Sequence, residues 1–156
     1  MAPSPTLIEE AKAHCEATGS RLTAPRERVL AIIAKAAKPL GAYDIIEQMP
    51  PGTKPPTVYR ALGFWEQEGF LHRISSLNVY SACKAGHRHS GGQFLICNNC
   101  GSVTETHICD TPKDFSTEAK KKNFQLDGWF LELRGLCSNC TEGKTHAHSH
   151  NCDHHH

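Results

Sequence analysis

The chain has 156 residues, 38% hydrophobic and 21% charged, with a formal net charge of +1 at pH 7. That length holds one ordinary domain or two small ones, and the charge balance excludes a strongly basic nucleic-acid coat or an acidic tail. No apolar run approaches the roughly 18 residues of a membrane span, and the opening "MAPSPTLIEEAKAHC" lacks the apolar centre of a secretory signal. A cytoplasmic protein is expected.

Residues 5 to 18 read as a short helix with Leu7, Ile8, Ala11 and Cys15 on one stripe, ended by Gly19. "RLTAPRERVLAIIAKAAKPL" predicts a second helix. Thr23 is its N-cap, Pro25 lies in its first turn, Val29, Ile33, Ala36 and Ala37 recur at helical spacing, and Pro39 stops it. "AYDIIEQM" predicts a short third helix, and "PPGTKPP" a loop that no helix could cross. "TVYRALGFWEQEGF" predicts a fourth helix capped by Thr57 and ended by Gly69. Val58, Ala61, Leu62 and Trp65 form its buried stripe, with Tyr59, Arg60, Gly63 and Gln67 opposite. "FLHRI" and "NVYSAC", joined by the turn "SSLN", predict a hairpin.

Short helices followed by a two-stranded hairpin are the plan of a winged helix-turn-helix, whose last helix enters the major groove of DNA. Arg60, near the start of that helix, is placed to read guanine through a bidentate pair. Tyr59 is placed for a thymine methyl or a phosphate, and Lys54 and Thr57 for phosphates at the helix N-terminus.

The polar stretch "KAGHRHSGG" marks a domain boundary. Beyond it, "QFLIC" and "SVTETHI" predict strands around "CNNCG", "TPKDFSTEAKKKNF" predicts an amphipathic helix, and "NFQLDGWFLELRG" predicts a returning strand with a glycine interruption. The expected fold class is α+β: an N-terminal winged helix-turn-helix and a small C-terminal α/β domain. The expected boundaries are 1–82 for the DNA-binding domain, 83–92 for a hinge, 93–140 for the second domain, and 141–156 for a disordered histidine-rich tail.

The sequence holds eight cysteines, four of them in two C-x-x-C pairs. Each pair places two thiolates on one side of a tight turn, and two pairs complete a tetrahedral zinc site. Cys97, Cys100, Cys137 and Cys140 are therefore expected to form a closed structural zinc site that staples a small domain. A redox dithiol would occur once, after a strand of a βαβ unit, and not twice. The remaining ligand-type residues are His72, Cys83, His87, His89, Glu105, His107 and Cys109, spread over the hairpin, the boundary segment and the strand after the first knuckle. A site drawing on several of these groups is the arrangement expected if metal sets domain geometry.

"LTAPRERVL", "PPTVYRALGFWEQEGF", "CNNCG" and "GLCSNC" together resemble the ferric uptake regulator superfamily of bacterial metal sensors, from about residue 7 to 140. "KPPTVYRAL" and the "GFLHRI…VYSAC" hairpin are most similar to its zinc uptake regulator branch. The resemblance implies a homodimer that represses zinc uptake genes by binding an AT-rich palindromic operator in double-stranded DNA. It implies two zinc ions per subunit, one structural and one regulatory, with the regulatory ion held by His72, Cys83, His89 and Glu105. His87 stands as the alternative to His89, because the segment from His89 to Cys97 is one residue longer than the branch pattern. Cys83 favours zinc over iron(II) or manganese, since thiolate suits zinc and imidazole–carboxylate sets suit the others.

The runner-up within the class is an iron- or peroxide-responsive regulator, and outside it a zinc-storage or chaperone protein. No membrane, no small-molecule substrate and no catalysis are expected, because four protein ligands leave no place for an activated water.

Overall fold

The computed structural model describes residues 4–83, 91–106 and 110–143. The chain divides into two compact units, Met1–Arg88 and His89–His156. In the first unit, helices α1 (Ser4–Thr18), α2 (Ala24–Lys35), α3 (Ala42–Gln48) and α4 (Pro55–Gln67) precede strands β1 (Leu71–Ile74) and β2 (Val79–Ala82). This is the expected winged helix-turn-helix.

Helix α2 begins as its sequence predicts. Thr23 is extended and its hydroxyl accepts the Arg26 N–H at 3.4 Å. It ends at Lys35, earlier than predicted, because Ala36 is already extended (φ −69°, ψ 137°). Two facts stop the helix short of Ala37. Pro39 disfavours helical geometry at Lys38, and Leu40 is drawn into a bridge with Tyr80, with N–H···O bonds of 3.0 and 2.7 Å in the two directions. That bridge adds a short third edge to the β1–β2 hairpin, which pairs antiparallel from Leu71↔Ala82 to Ile74↔Val79.

Helix α4 starts two residues before the predicted cap. Lys54 occupies the N-cap without a side-chain bond, and Thr57 lies in the first turn with its N–H on the Lys54 carbonyl at 3.0 Å. Pro55 and Pro56 fill the first helical positions. Their missing N–H groups would have no intrahelical partner there, and their fixed φ suits the helix. The far end closes in a Schellman arrangement. Gly69 takes φ +80°, its N–H bonds Glu66 O at 3.1 Å, and the Phe70 N–H bonds Trp65 O at 2.9 Å.

Val58, Ala61, Leu62 and Trp65 are buried, as the stripe predicts. Trp65 is the hub. Its Nε1 donates to the Arg26 carbonyl at 2.7 Å, its ring meets Phe70 edge-on at 5.2 Å, and the Arg26 guanidinium lies 3.8 Å from the centre of the adjacent Phe64 ring. The start of α2 is thereby tied to the end of α4. His14 of α1 adds a 2.6 Å contact with the Glu68 carboxylate and an edge-on contact with Phe70.

The second unit contains β3 (Gly91–Cys97), β4 (Val103–Thr106), α5 (Lys113–Lys121), β5 (Trp129–Gly135) and α6 (Ser138–Thr141). Its sheet has the order β4-β3-β5, with β3–β4 antiparallel and β3–β5 parallel in register from Gly91↔Trp129 to Cys97↔Gly135. The predicted strand from Asn123 begins only at Trp129, after Gly128. The one-turn helix α6 has no periodicity in sequence and was not expected. Among the described residues no helix is long and apolar enough to cross a membrane.

At the start of β3 the Trp129 indole lies directly over Gly91, so a Cβ there would sit 2.0 Å from Trp129 Cε2. Gly91→Ala should therefore destabilise the second unit by about 1–3 kcal/mol through overpacking. Denaturant unfolding followed by circular dichroism measures the loss, and Trp129→Leu in the same chain should recover part of it.

Candidate metal centre

Strands β3 and β5 end side by side, and each delivers a cysteine turn at that end. Cys97 closes β3. Gly135 closes β5, and Cys137 caps α6 two residues later. The Asn98 N–H continues the ladder onto Gly135 O at 2.8 Å. The first turn reverses on Gly101, which takes φ +74° and bonds back to Cys97 O at 3.0 Å, while the Cys97 N–H bonds Ser102 O at 2.9 Å.

The sulfurs of Cys97, Cys100, Cys137 and Cys140 converge, all within 4.8 Å of one another. Cys100 Sγ and Cys137 Sγ are 3.7 Å apart. A tetrahedron with Zn–S bonds of about 2.3 Å has sulfur–sulfur edges of roughly 3.8 Å, so the spacing fits zinc closely.

The electrostatics fit as well. Burial pushes the Cys97 thiol up, but the N–H groups of Cys100, Cys137 and Asn99 aimed at its sulfur outweigh that and bring it to about 6. The Asn99 amide lowers Cys140, yet burial and the neighbouring thiols dominate and push it up to about 11. At Cys100, hydrogen bonding with Ser102 lowers the thiol. Four thiolates this close cannot all ionise without a cation among them. The four-cysteine zinc site expected from sequence is thus a site this unit is built to hold.

The other ligand-type residues stand as follows. In the first unit, His72 lies on β1 opposite Ser81, and Cys83 follows β2 with its N–H on Phe70 O at 2.9 Å. His72 is half-buried, Cys83 is 4% exposed, and their ligand atoms lie within 4.8 Å of each other. In the second unit, Glu105 is half-buried on β4 opposite Phe94. His87, His89, His107 and Cys109 lie outside the described residues. On α4, Tyr59 and Arg60 are exposed, Lys54 is exposed at the N-cap, and Thr57 is half-buried in the first turn.

Two residues beside the sulfurs were not singled out from sequence. Asn99 Nδ2 donates to Cys140 Sγ at 3.2 Å, and Ser102 Oγ is 3.3 Å from Cys100 Sγ. Polar side chains inside and just after a C-x-x-C-G turn were the available signal.

Comparison with known proteins agrees with this geometry. The sequence model of the ferric uptake regulator family matches residues 17–134. The chain belongs to the ferric uptake regulator family. It is 34% identical over 155 residues to the zinc uptake regulation protein of Escherichia coli (strain K12), spanning 96% of this chain and 90% of that one. It is also 34% identical over 135 residues to the ferric uptake regulation protein of Bordetella parapertussis, spanning 81% of this chain and 93% of the relative. A solved zinc uptake regulator complexed with zinc and DNA superposes with a TM-score of 0.81 at 32% identity, over 92% of this chain and 99% of that chain. Holo XcZur superposes with a TM-score of 0.76 at 36% identity, over 88% and 98%. The resemblance drawn from the motifs is therefore borne out at the level of family and fold.

Metal uptake by this cluster must displace thiol protons. With the metal-free Cys97 thiol at about 6, that sulfur is already ionised at neutral pH, so zinc binding at pH 7.5 should release fewer than four protons from the four cysteines. The number should rise as pH falls through about 6. Calorimetry in buffers of different ionisation enthalpy counts them, with Cys83→Ala used to silence metal uptake through Cys83.

Proposed function

We propose that this protein is a zinc-responsive transcriptional repressor that acts in the cytoplasm as a homodimer on an AT-rich palindromic operator and controls genes for zinc uptake. One observation carries the reading: the wing beside the exposed helix α4 holds an imidazole and a thiol, His72 and Cys83, with ligand atoms within 4.8 Å. A metal-binding pair is thus built into the DNA-reading unit itself.

The cysteine makes the pair a zinc ligand set, since thiolate selects zinc over iron(II) and manganese. That weighs against an iron or peroxide sensor. His89, with His87 as the alternative, and Glu105 complete the set implied by the family resemblance: one thiolate, one carboxylate and two neutral imidazoles. Bound zinc supplies a dication and a tetrahedral template for these four donors. His72 and Cys83 come from the DNA-binding domain, residues 1–82 with the start of the hinge, and Glu105 from the dimerisation domain, residues 93–140. Ligation favours DNA binding to the extent that the DNA-competent geometry satisfies the four donors better than others do. By linkage, operator DNA tightens zinc binding by the same factor.

DNA is read by α4. Arg60 pairs with a guanine edge, Tyr59 meets a thymine methyl or a phosphate, and Lys54 and Thr57 hold phosphates at the N-terminus of a 13-residue helix. Dimerisation is supported by the second unit. Leu95 and Leu133 pair across β3–β5 on one sheet face, each 42% exposed, beside Leu131. An apolar face of this kind suits an isologous partner. Cys97, Cys100, Cys137 and Cys140 would hold the structural zinc.

Binding to a palindromic AT-rich promoter fragment, measured while free zinc, iron(II) and manganese are varied in turn, tests the reading. Zinc alone should promote binding, and DNA affinity indifferent to zinc would overturn it. Cys83→Ala should leave a folded dimer with its structural zinc and little zinc-dependent affinity, whereas Cys97→Ser should unfold the second unit. Arg60→Ala should cost about 1–3 kcal/mol on the operator and relax sequence preference, read by competition with non-specific DNA.

A further inference from the structure

The four sulfurs of the cluster are not held alike. Cys97 Sγ accepts backbone N–H groups, among them those of Cys100 at 3.5 Å and Cys137 at 3.3 Å, at the buried end of β3. Cys140 stands on the four-residue helix α6. The donor aimed at its sulfur is a side chain, the Asn99 amide at 3.2 Å, reaching from the other cysteine turn across 41 residues of sequence. Asn99 sits on the exposed side of the cluster.

We infer that Asn99 is a positioning residue that sets how firmly the structural zinc is retained, acting through the Cys140 sulfur. The inference rests on reading the four cysteines as a zinc site. An N–H donor on a ligating thiolate fixes the direction of its lone pair and lowers its affinity for the proton that must replace the metal when that ligand lets go. Cys97 receives this support from backbone groups that every residue except proline supplies. At Cys140 the donor depends on the identity of one residue. Cys140 is also carried by a helix of four residues, whereas Cys97 closes a seven-residue strand, so Cys140 is the ligand through which zinc is lost first, and Asn99 is the brake on that loss.

The test follows zinc release from the full-length dimer, in a Cys83→Ala background, to a chromogenic chelator in excess. Asn99→Ala, and Asn99→Asp, which keeps the shape but removes the donor, should each shed zinc on the order of 10-fold faster. Asn98→Ala, whose backbone N–H still bonds Gly135 O, should match the parent. The same Asn99→Ala change in a Cys140→His chain should have no effect, because a metal-bound imidazole offers no lone pair to the amide. Should Cys140→His not retain metal, cobalt-loaded Asn99→Ala supplies the readout instead, with a shifted thiolate-to-cobalt charge-transfer band. Equal release rates for Asn99→Ala and its parent, an equal acceleration in the Cys140→His chain, or an unshifted cobalt band would overturn the inference. A parent protein that retains no zinc would instead sink the zinc-site reading beneath it.

Discussion

The second unit depends on one pairing, the parallel ladder between β3 and β5. Its register sets Cys97 beside Gly135, and the Asn98 N–H carries it one step further. Parallel strands point the same way, so the two cysteine turns leave the sheet at the same end and their sulfurs meet. An antiparallel pairing of the same two strands would send the turns to opposite ends of the sheet. A slip by one residue would turn Cys97 to the other face. The ladder and the metal support each other. The sheet brings four thiols closer than they would stand as thiolates alone, and a dication in their midst converts that repulsion into cross-links between distant parts of a unit with few large buried side chains.

The DNA-reading unit is organised by an apolar hub in place of a metal. Trp65 is 0% exposed and spends its one polar atom on the Arg26 carbonyl. With the Arg26 guanidinium on Phe64 and Phe70 closing the Schellman turn against Trp65, the C-terminal end of α4 is fixed against the start of α2. The opposite face of α4 is left for Tyr59 and Arg60. A recognition helix needs this division, because a helix that shifts by a fraction of a turn aims its side chains at different base edges.

The elements with strong local signals were legible from sequence. The stripe of α4, the Thr23 cap of α2, the wing hairpin and the two C-x-x-C pairs each rest on contacts within a few residues, and the four-sulfur cluster follows from ligand chemistry. Where local signals competed, the reading slipped. Thr57 looks like a cap, but the two prolines before it are better first-turn residues. Ala36 and Ala37 continue the apolar period of α2, but the Leu40–Tyr80 bridge needs the chain to turn before them. Helix α6 is too short to carry a period.

The sequence by itself determined the family, the winged-helix plan and which four cysteines would converge, because spacing and residue chemistry are properties of the chain. Only the tertiary structure decided which strands pair and in which direction, that Gly91 must lack a side chain under Trp129, and that Asn99 of one turn faces Cys140 of the other. Those are long-range contacts between segments tens of residues apart. Their partners are selected by the packing of the whole unit, and no local pattern encodes them.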